Sequence, residues 1–305
     1  PHSMRVANYY KKRRSIPVEN IIHVNFPPGR STLSRVEFQR IKLLVKRATP
    51  AHVQAYVLTW TKPYRVDCMS ITTAFAAGFE EAFCSKACGP TKPSPYFNSN
   101  SRRPFDDYGL RPTMALAGKD FLEVKRLIDR GIAADGTFPR AAGYLVSTSD
   151  KNRNVRAATY ADIIPYYRAS PLALEIVKAD FIQNRKKVLF YFTGTKQVKA
   201  LETIRFIPGA MADHLTSAGG FLTDSGDQMS SLRWLEAGAT GSYGTVAEPC
   251  NFPAKFPHPA IVIGRYLRGE TLIESYWKSV AWPGEGLFIG EPLAAPYAMQ
   301  ARQTQ

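Results

Sequence analysis

Val188-Leu189-Phe190-Tyr191-Phe192-Thr193 is a run of six residues without a charge, rich in aromatic and β-branched side chains. A short run of this kind has no polar alternation, so it reads as a strand covered on both faces rather than one with a wet side. Ala55-Tyr56-Val57-Leu58-Thr59-Trp60 has the same character. Shorter strands are expected at Ile21 to Val24, Thr113 to Ala117, Gly143 to Ser147, Ile204 to Ile207 and Gly238 to Val246.

Between these runs the apolar period lengthens to that of a helix. Ser34 and Glu37 form a capping box that opens a helix to about Arg47, with Phe38, Ile41, Leu44 and Val45 on one face. Phe121 to Ile132 carries Val124, Leu127 and Ile128 in register. Helices are also expected over Val6 to Lys12, Ser70 to Phe83, Met229 to Glu236, Ile261 to Leu267 and Thr271 to Val280. A further mostly helical stretch, broken at Ser170-Pro171, runs to Asn184. Strands alternating with helices imply an α/β fold, a mostly parallel central sheet flanked by helices.

The chain has 305 residues, 45% of them apolar and 21% charged, and a formal charge of +15. This size supports one domain over 5–305, with an irregular insertion at about 84–112 where Gly, Pro, Ser and Asn dominate. Pro1 to Met4 reads as a tag remnant outside the fold. No apolar run is long enough to span a bilayer, so a soluble chain is expected. A basic chain could favour nucleic acid, an anionic membrane face or an acidic substrate, but no nucleic-acid motif accompanies the charge and no nucleic-acid partner is expected. A Gly-x-x-x-x-Gly-Lys-Ser/Thr run is missing and no cofactor is implied. Cys68, Cys84, Cys88 and Cys250 allow two disulfides in three pairings, a zinc site or free thiols.

In parallel sheets ligands gather beyond the carboxyl ends of the strands. The segments that matter are then 61–67, 118–120, 147–150, 194–196, 213–217 and 245–250. His214 and Cys250 are the candidate pair for a thiolate nucleophile and its base. Glu248 beside Cys250 counts against a reactive thiolate. Asp213, His214 and Ser217 form an alternative constellation, although neighbours along a loop rarely achieve triad geometry. Asp213, Asp224 and Asp227 are weak candidates for a hard cation. Thr195, Lys196, Thr216 and Glu248 would line the cleft. Trp60, Tyr64, Trp234, Tyr243, Trp277 and Trp282 could face a glycan or peptide there, or belong to the core.

Several longer segments carry a resemblance: Val6 to Tyr10 leading to Ile16 to Asn20, Arg111 to Ala117, Ala212 to Gly220, Trp234 to Cys250 and Gly286 to Ala294. Together they resemble an uncharacterised bacterial family that co-occurs with exosortase-type (PEP-CTERM) protein sorting. That resemblance implies an exported, envelope-associated protein, periplasmic or extracellular, whose leader is absent from this chain. More distantly, Val188 to Gly194, Gly238 to Thr245 and Leu287 to Pro292 resemble gingipain-like and caspase-like cysteine peptidases in the same order. This implies a caspase/gingipain-like fold. Thr195 stands where those peptidases place histidine, and Asp213-His214 where they place cysteine. The expectation is therefore a non-catalytic binding or scaffold protein that holds a peptide, protein or glycan in its cleft. The alternative is a cysteine peptidase that uses His214 and Cys250.

Overall fold

The computed structural model describes residues 2–299. In chain order its helices are α1 (His2–Arg14), α2 (Arg35–Ala48), α3 (Ile71–Ala77), α4 (Pro104–Tyr108), α5 (Phe121–Ala134), α6 (Tyr160–Tyr167), α7 (Leu232–Glu236), α8 (Pro259–Leu267) and α9 (Leu272–Trp277). The strands are β1 (Thr32–Leu33), β2 (Tyr56–Leu58), β3 (Arg65–Val66), β4 (Met69–Ser70), β5 (Thr113–Ala115), β6 (Ala141–Ser147), β7 (Leu172–Lys178), β8 (Val188–Gly194), β9 (Phe206–Leu215), β10 (Gly241–Thr245) and β11 (Gly286–Gly290).

Eight strands form one sheet in the order β2-β5-β11-β10-β9-β8-β6-β7, and β1, β3 and β4 form a small second sheet. The fold is α/β and the large sheet is mostly parallel, as expected. Its one antiparallel pairing, β10 against β11, splits it into two parallel blocks of opposite direction. The carboxyl ends of β2, β5 and β11 therefore lie on one edge, and those of β6 to β10 on the other.

Phe190, Phe192, Met211, Leu215, Tyr243 and Phe288 pack one face against α6, α8 and α9. The opposite face meets α1, α2, α5 and α7, where Leu287 and Ile289 join Phe38, Leu127 and Leu235, and Tyr191 meets Trp234. Ser34 caps α2 with Glu37 as its reciprocal partner, as read from the sequence. Phe38, Ile41 and Val45 are buried in register, whereas Leu44 is 59% exposed and belongs to the outer face. Arg14 at the end of α1 binds buried Glu291 just after β11, which fixes the helix across the sheet.

The sequence reading departs from the structure in definite places. Residues 21–24 are extended but pair with no strand. Within 172–184, read as helical, Leu172–Lys178 is an edge strand. One side of β7 is wet, and its Leu, Ala, Glu and Lys are good helix formers, so local composition misleads there. The helix expected over Ser70 to Phe83 ends at Ala77, where Gly78 takes a positive φ. β9 runs on through Asp213 and His214, which lie in the ladder and not in a loop. β11 has no counterpart among the expected strands. His2 to Met4 belong to the first turn of α1. Pro1 and the end of the expected domain, 300–305, lie outside the described residues.

The insertion at 84–112 is irregular apart from α4 and is stapled at its start by two disulfides, Cys68–Cys84 and Cys88–Cys250. They settle the pairing among the three possibilities and point to an oxidising compartment. By loop-closure entropy the long-range bridge, spanning 162 positions, stabilises the fold by up to about 5 kcal/mol. Unreduced protein in denaturant should accordingly show no reactive thiol. The Cys88→Ser, Cys250→Ser double variant should unfold at lower denaturant by several kcal/mol, as measured by equilibrium unfolding.

Candidate functional site

The turns after β8, β9 and β10 do share one edge. Thr148 Oγ1 donates to the Gly194 carbonyl at 2.5 Å, and Thr245 Oγ1 donates to the carbonyls of Thr216 and Ser217 at 3.1 and 3.0 Å. Arg153 Nε donates to Thr216 Oγ1 at 3.1 Å. The turns pack closely against one another there. A Cβ on Gly244 would lie 2.3 Å from the Gly219 carbonyl carbon, and one on Gly194 would lie 1.9 Å from the Arg153 carbonyl oxygen. Of the expected cleft residues, Thr216 is buried and bonded to Gln228 Oε1. Thr195 bonds the Gln197 carbonyl, Lys196 pairs with Asp227, and the Glu248 carboxylate accepts from the Cys250 amide.

Because the pleat alternates, consecutive residues of β9 point to opposite faces of the sheet. Asp213 faces α6 and α9, where Arg156 is its one partner among the described residues, at 2.7 Å; the same guanidinium donates to the Thr193 and Pro257 carbonyls. Burial pushes the Asp213 carboxyl up to about 6 in spite of that arginine. His214 faces α7. Trp234 Nε1 donates to its Nδ1 at 2.9 Å, so the ring proton sits on Nε2, which donates to the Met229 carbonyl at 2.9 Å. Both ring nitrogens are taken, and burial drives the imidazole down to about 4.

These contacts correct the site read from the sequence. Cys250 is bonded to Cys88, so it has no free thiol, and His214 has no nitrogen to offer it. Asp213 and His214 lie back to back across the sheet and do not form a triad with Ser217. Asp213 lies in β9 and pairs with Arg156, whereas Asp224 and Asp227 lie in the loop before α7 and pair with Lys62 and Lys196. No group of three metal-ligating side chains gathers among the described residues. Of the aromatics, Trp234, Tyr243 and Trp277 are fully buried core and Tyr64 nearly so, whereas Trp60 is half-buried and reaches a cleft.

That cleft lies beyond the carboxyl ends of β2 and β5. Its volume is about 930 Å³, and its walls include Asn8, Phe26, Trp60, Lys62, Lys119 and Thr223. Phe26 and Trp60 meet edge to face, centroids 5.1 Å apart, and Trp60 Nε1 is held by the Pro63 carbonyl. The cleft continues into an apolar chamber of about 240 Å³ against β2, walled by Ile21, Val24, Val45, Val57, Phe75 and Leu293. Ile21, Ile22, Val24, Thr59 and Trp60 line both, so the two form one trough.

β2 is the end strand of the sheet. Tyr56 and Leu58 turn their main-chain groups to β5, so those of Val57 face the trough. The opposite wall is the segment 22–30, free of strand or helix and turning at Pro28-Gly29, which makes no main-chain hydrogen bond to the rest of the chain among the described residues. The trough escaped sequence reasoning because Ile21 to Val24 reads as a strand. Only Pro27-Pro28-Gly29 signals a segment unable to join a ladder. Comparison with family models, with curated proteins and with solved structures finds no match.

The neutral, enclosed imidazole sets an acid limit. In the folded chain His214 stays neutral to about pH 4, while the unfolded chain protonates near 6.5. Its share of stability is full above 6.5 and is lost as pH falls towards 4, by up to about 3 kcal/mol. Asp213 acts in the opposite sense: its raised carboxyl takes up a proton in the folded chain first, which offsets part of that loss. A direct comparison of wild type with His214→Gln isolates the histidine. The stability advantage of wild type near neutrality should shrink steadily to pH 4 in urea titrations. A gap that stays constant with pH would show that His214 titrates normally.

Proposed function

We propose that this chain is a non-catalytic binding protein of an exported, periplasmic or extracellular kind, and that its ligand is an extended peptide held in the trough along β2. One observation carries the reading: an unpaired edge strand presents main-chain groups into an apolar channel that opens to a wider, mixed cleft. A strand edge offers affinity for any backbone, and the pockets beside it select alternate side chains. The volume of the outer cleft, about 930 Å³, lies in the range of small-ligand sites. Trp60 and Phe26 supply flat apolar area, and Asn8 and Thr59 supply polar partners.

The non-catalytic part rests on what the two candidate residues already do. Cys250 serves as a staple and His214 as a bridge between β9 and α7. The two disulfides and the family resemblance support the exported part.

Selection from a displayed peptide library on the oxidised protein tests this reading. Recovered ligands should be extended sequences with spaced apolar residues, and should be returned uncleaved after long incubation. Trp60→Ala should weaken binding at least ~10-fold, as expected for loss of a central aromatic anchor. N-methylation of alternate ligand amides should do the same. A library that yields no binder, a ligand that is hydrolysed, or binding indifferent to Trp60 would overturn the proposal.

A further inference from the structure

Helix α2 turns Phe38, Ile41 and Val45 into the core, and its opposite side is not the polar face that such a helix ordinarily presents. Val36, Leu43 and Leu44 are 57%, 49% and 59% exposed. At 3.6 residues per turn, positions 36, 40, 43, 44 and 47 fall on one arc of roughly 100°. The outer face of α2 thus sets three large apolar side chains beside Arg40 and Arg47. Scattered exposed apolar residues need no explanation, but three on one turn-aligned arc form a patch.

The charge around this patch has one sign. Glu37 is the only acid of the helix, and it is consumed by the Ser34 cap and by Arg30. Arg40, Lys46 and Arg47 enter no ion pair among the described residues. The whole chain carries +15. An apolar stripe flanked by unpaired cations matches the interface of an anionic bilayer, with aliphatic side chains below the headgroups and guanidinium groups at the phosphates. An apolar partner protein would not use the arginines. A second copy of this chain would bring the same positive charges against them.

We infer that the outer face of α2 docks this protein onto an anionic phospholipid surface. The contact is peripheral: the face is four turns long, lies parallel to the bilayer and buries side chains only to the depth of the headgroups. Its other side carries Val45 into the wall of the trough, so a docked molecule holds its binding channel close to the membrane plane.

Co-sedimentation of the full, oxidised chain with phospholipid vesicles tests the inference. It should bind vesicles containing phosphatidylglycerol, release with added salt, and stay in solution with phosphatidylcholine alone. Leu43→Ser with Leu44→Ser, and separately Arg40→Gln with Arg47→Gln, should each weaken binding at least ~10-fold at an unchanged melting temperature. Three results would overturn it. The first is wild type staying in solution with phosphatidylglycerol vesicles. The second is both double variants binding as wild type does, which would place the attraction in the general charge. The third is wild type self-associating with concentration while the leucine variant stays monomeric, which would assign the face to a second copy.

Discussion

The ladder between Gly241–Thr245 and Gly286–Gly290 is the seam on which the molecule depends. Five residue pairs run antiparallel there, while every other pairing in the large sheet is parallel. A parallel sheet ordinarily collects its loops on one edge, and one site follows from that. The seam divides the loops between two edges. On the side of β8, β9 and β10, close glycine contacts let the turns pack against one another. On the side of β2 and β5 the sheet ends, and the space beside its last strand stays open.

Within this frame the pleat decides what a pair of neighbouring residues can do. Asp213 and His214 look like partners in the sequence, and the ladder separates them by the thickness of the sheet. Each then makes a bond suited to its own face: a carboxylate to a buried guanidinium, and an imidazole to an indole and a carbonyl. Both ring nitrogens of His214 are taken, and the Asp213 carboxylate is buried against Arg156 away from the edge where the turns meet. The two arrangements tie a strand to the layer that covers it, which is a common role for hydrogen-bonded polar groups inside a protein.

Much of the fold was legible because its strongest elements are uniform. β8 is apolar throughout, and α2 and α5 carry clean helical stripes with side-chain caps at their first turns. What escaped was decided by distant neighbours. β7 is a strand because β6 offers it an edge, despite residues that suit a helix. β11 is a strand because it closes the seam. The site was legible only in outline: the turns after β8, β9 and β10 meet on one edge, although Asp213 and His214 belong to the ladder, and no pattern in the chain says whether such a meeting leaves a hollow. Cys250 could be a nucleophile or a staple by composition alone, and only the position of Cys88 distinguishes the two.

The segment 22–30 forms one wall of the trough and, among the described residues, makes no main-chain bond to the rest of the protein. Such a wall is held by side-chain contacts, chiefly Ile22, Val24 and the edge-to-face meeting of Phe26 with Trp60. Its place is thus set by side-chain packing and not by a ladder. On the peptide-binding reading proposed above, selectivity would come more from contact than from exclusion, and the strand opposite would set a guest's direction and alignment.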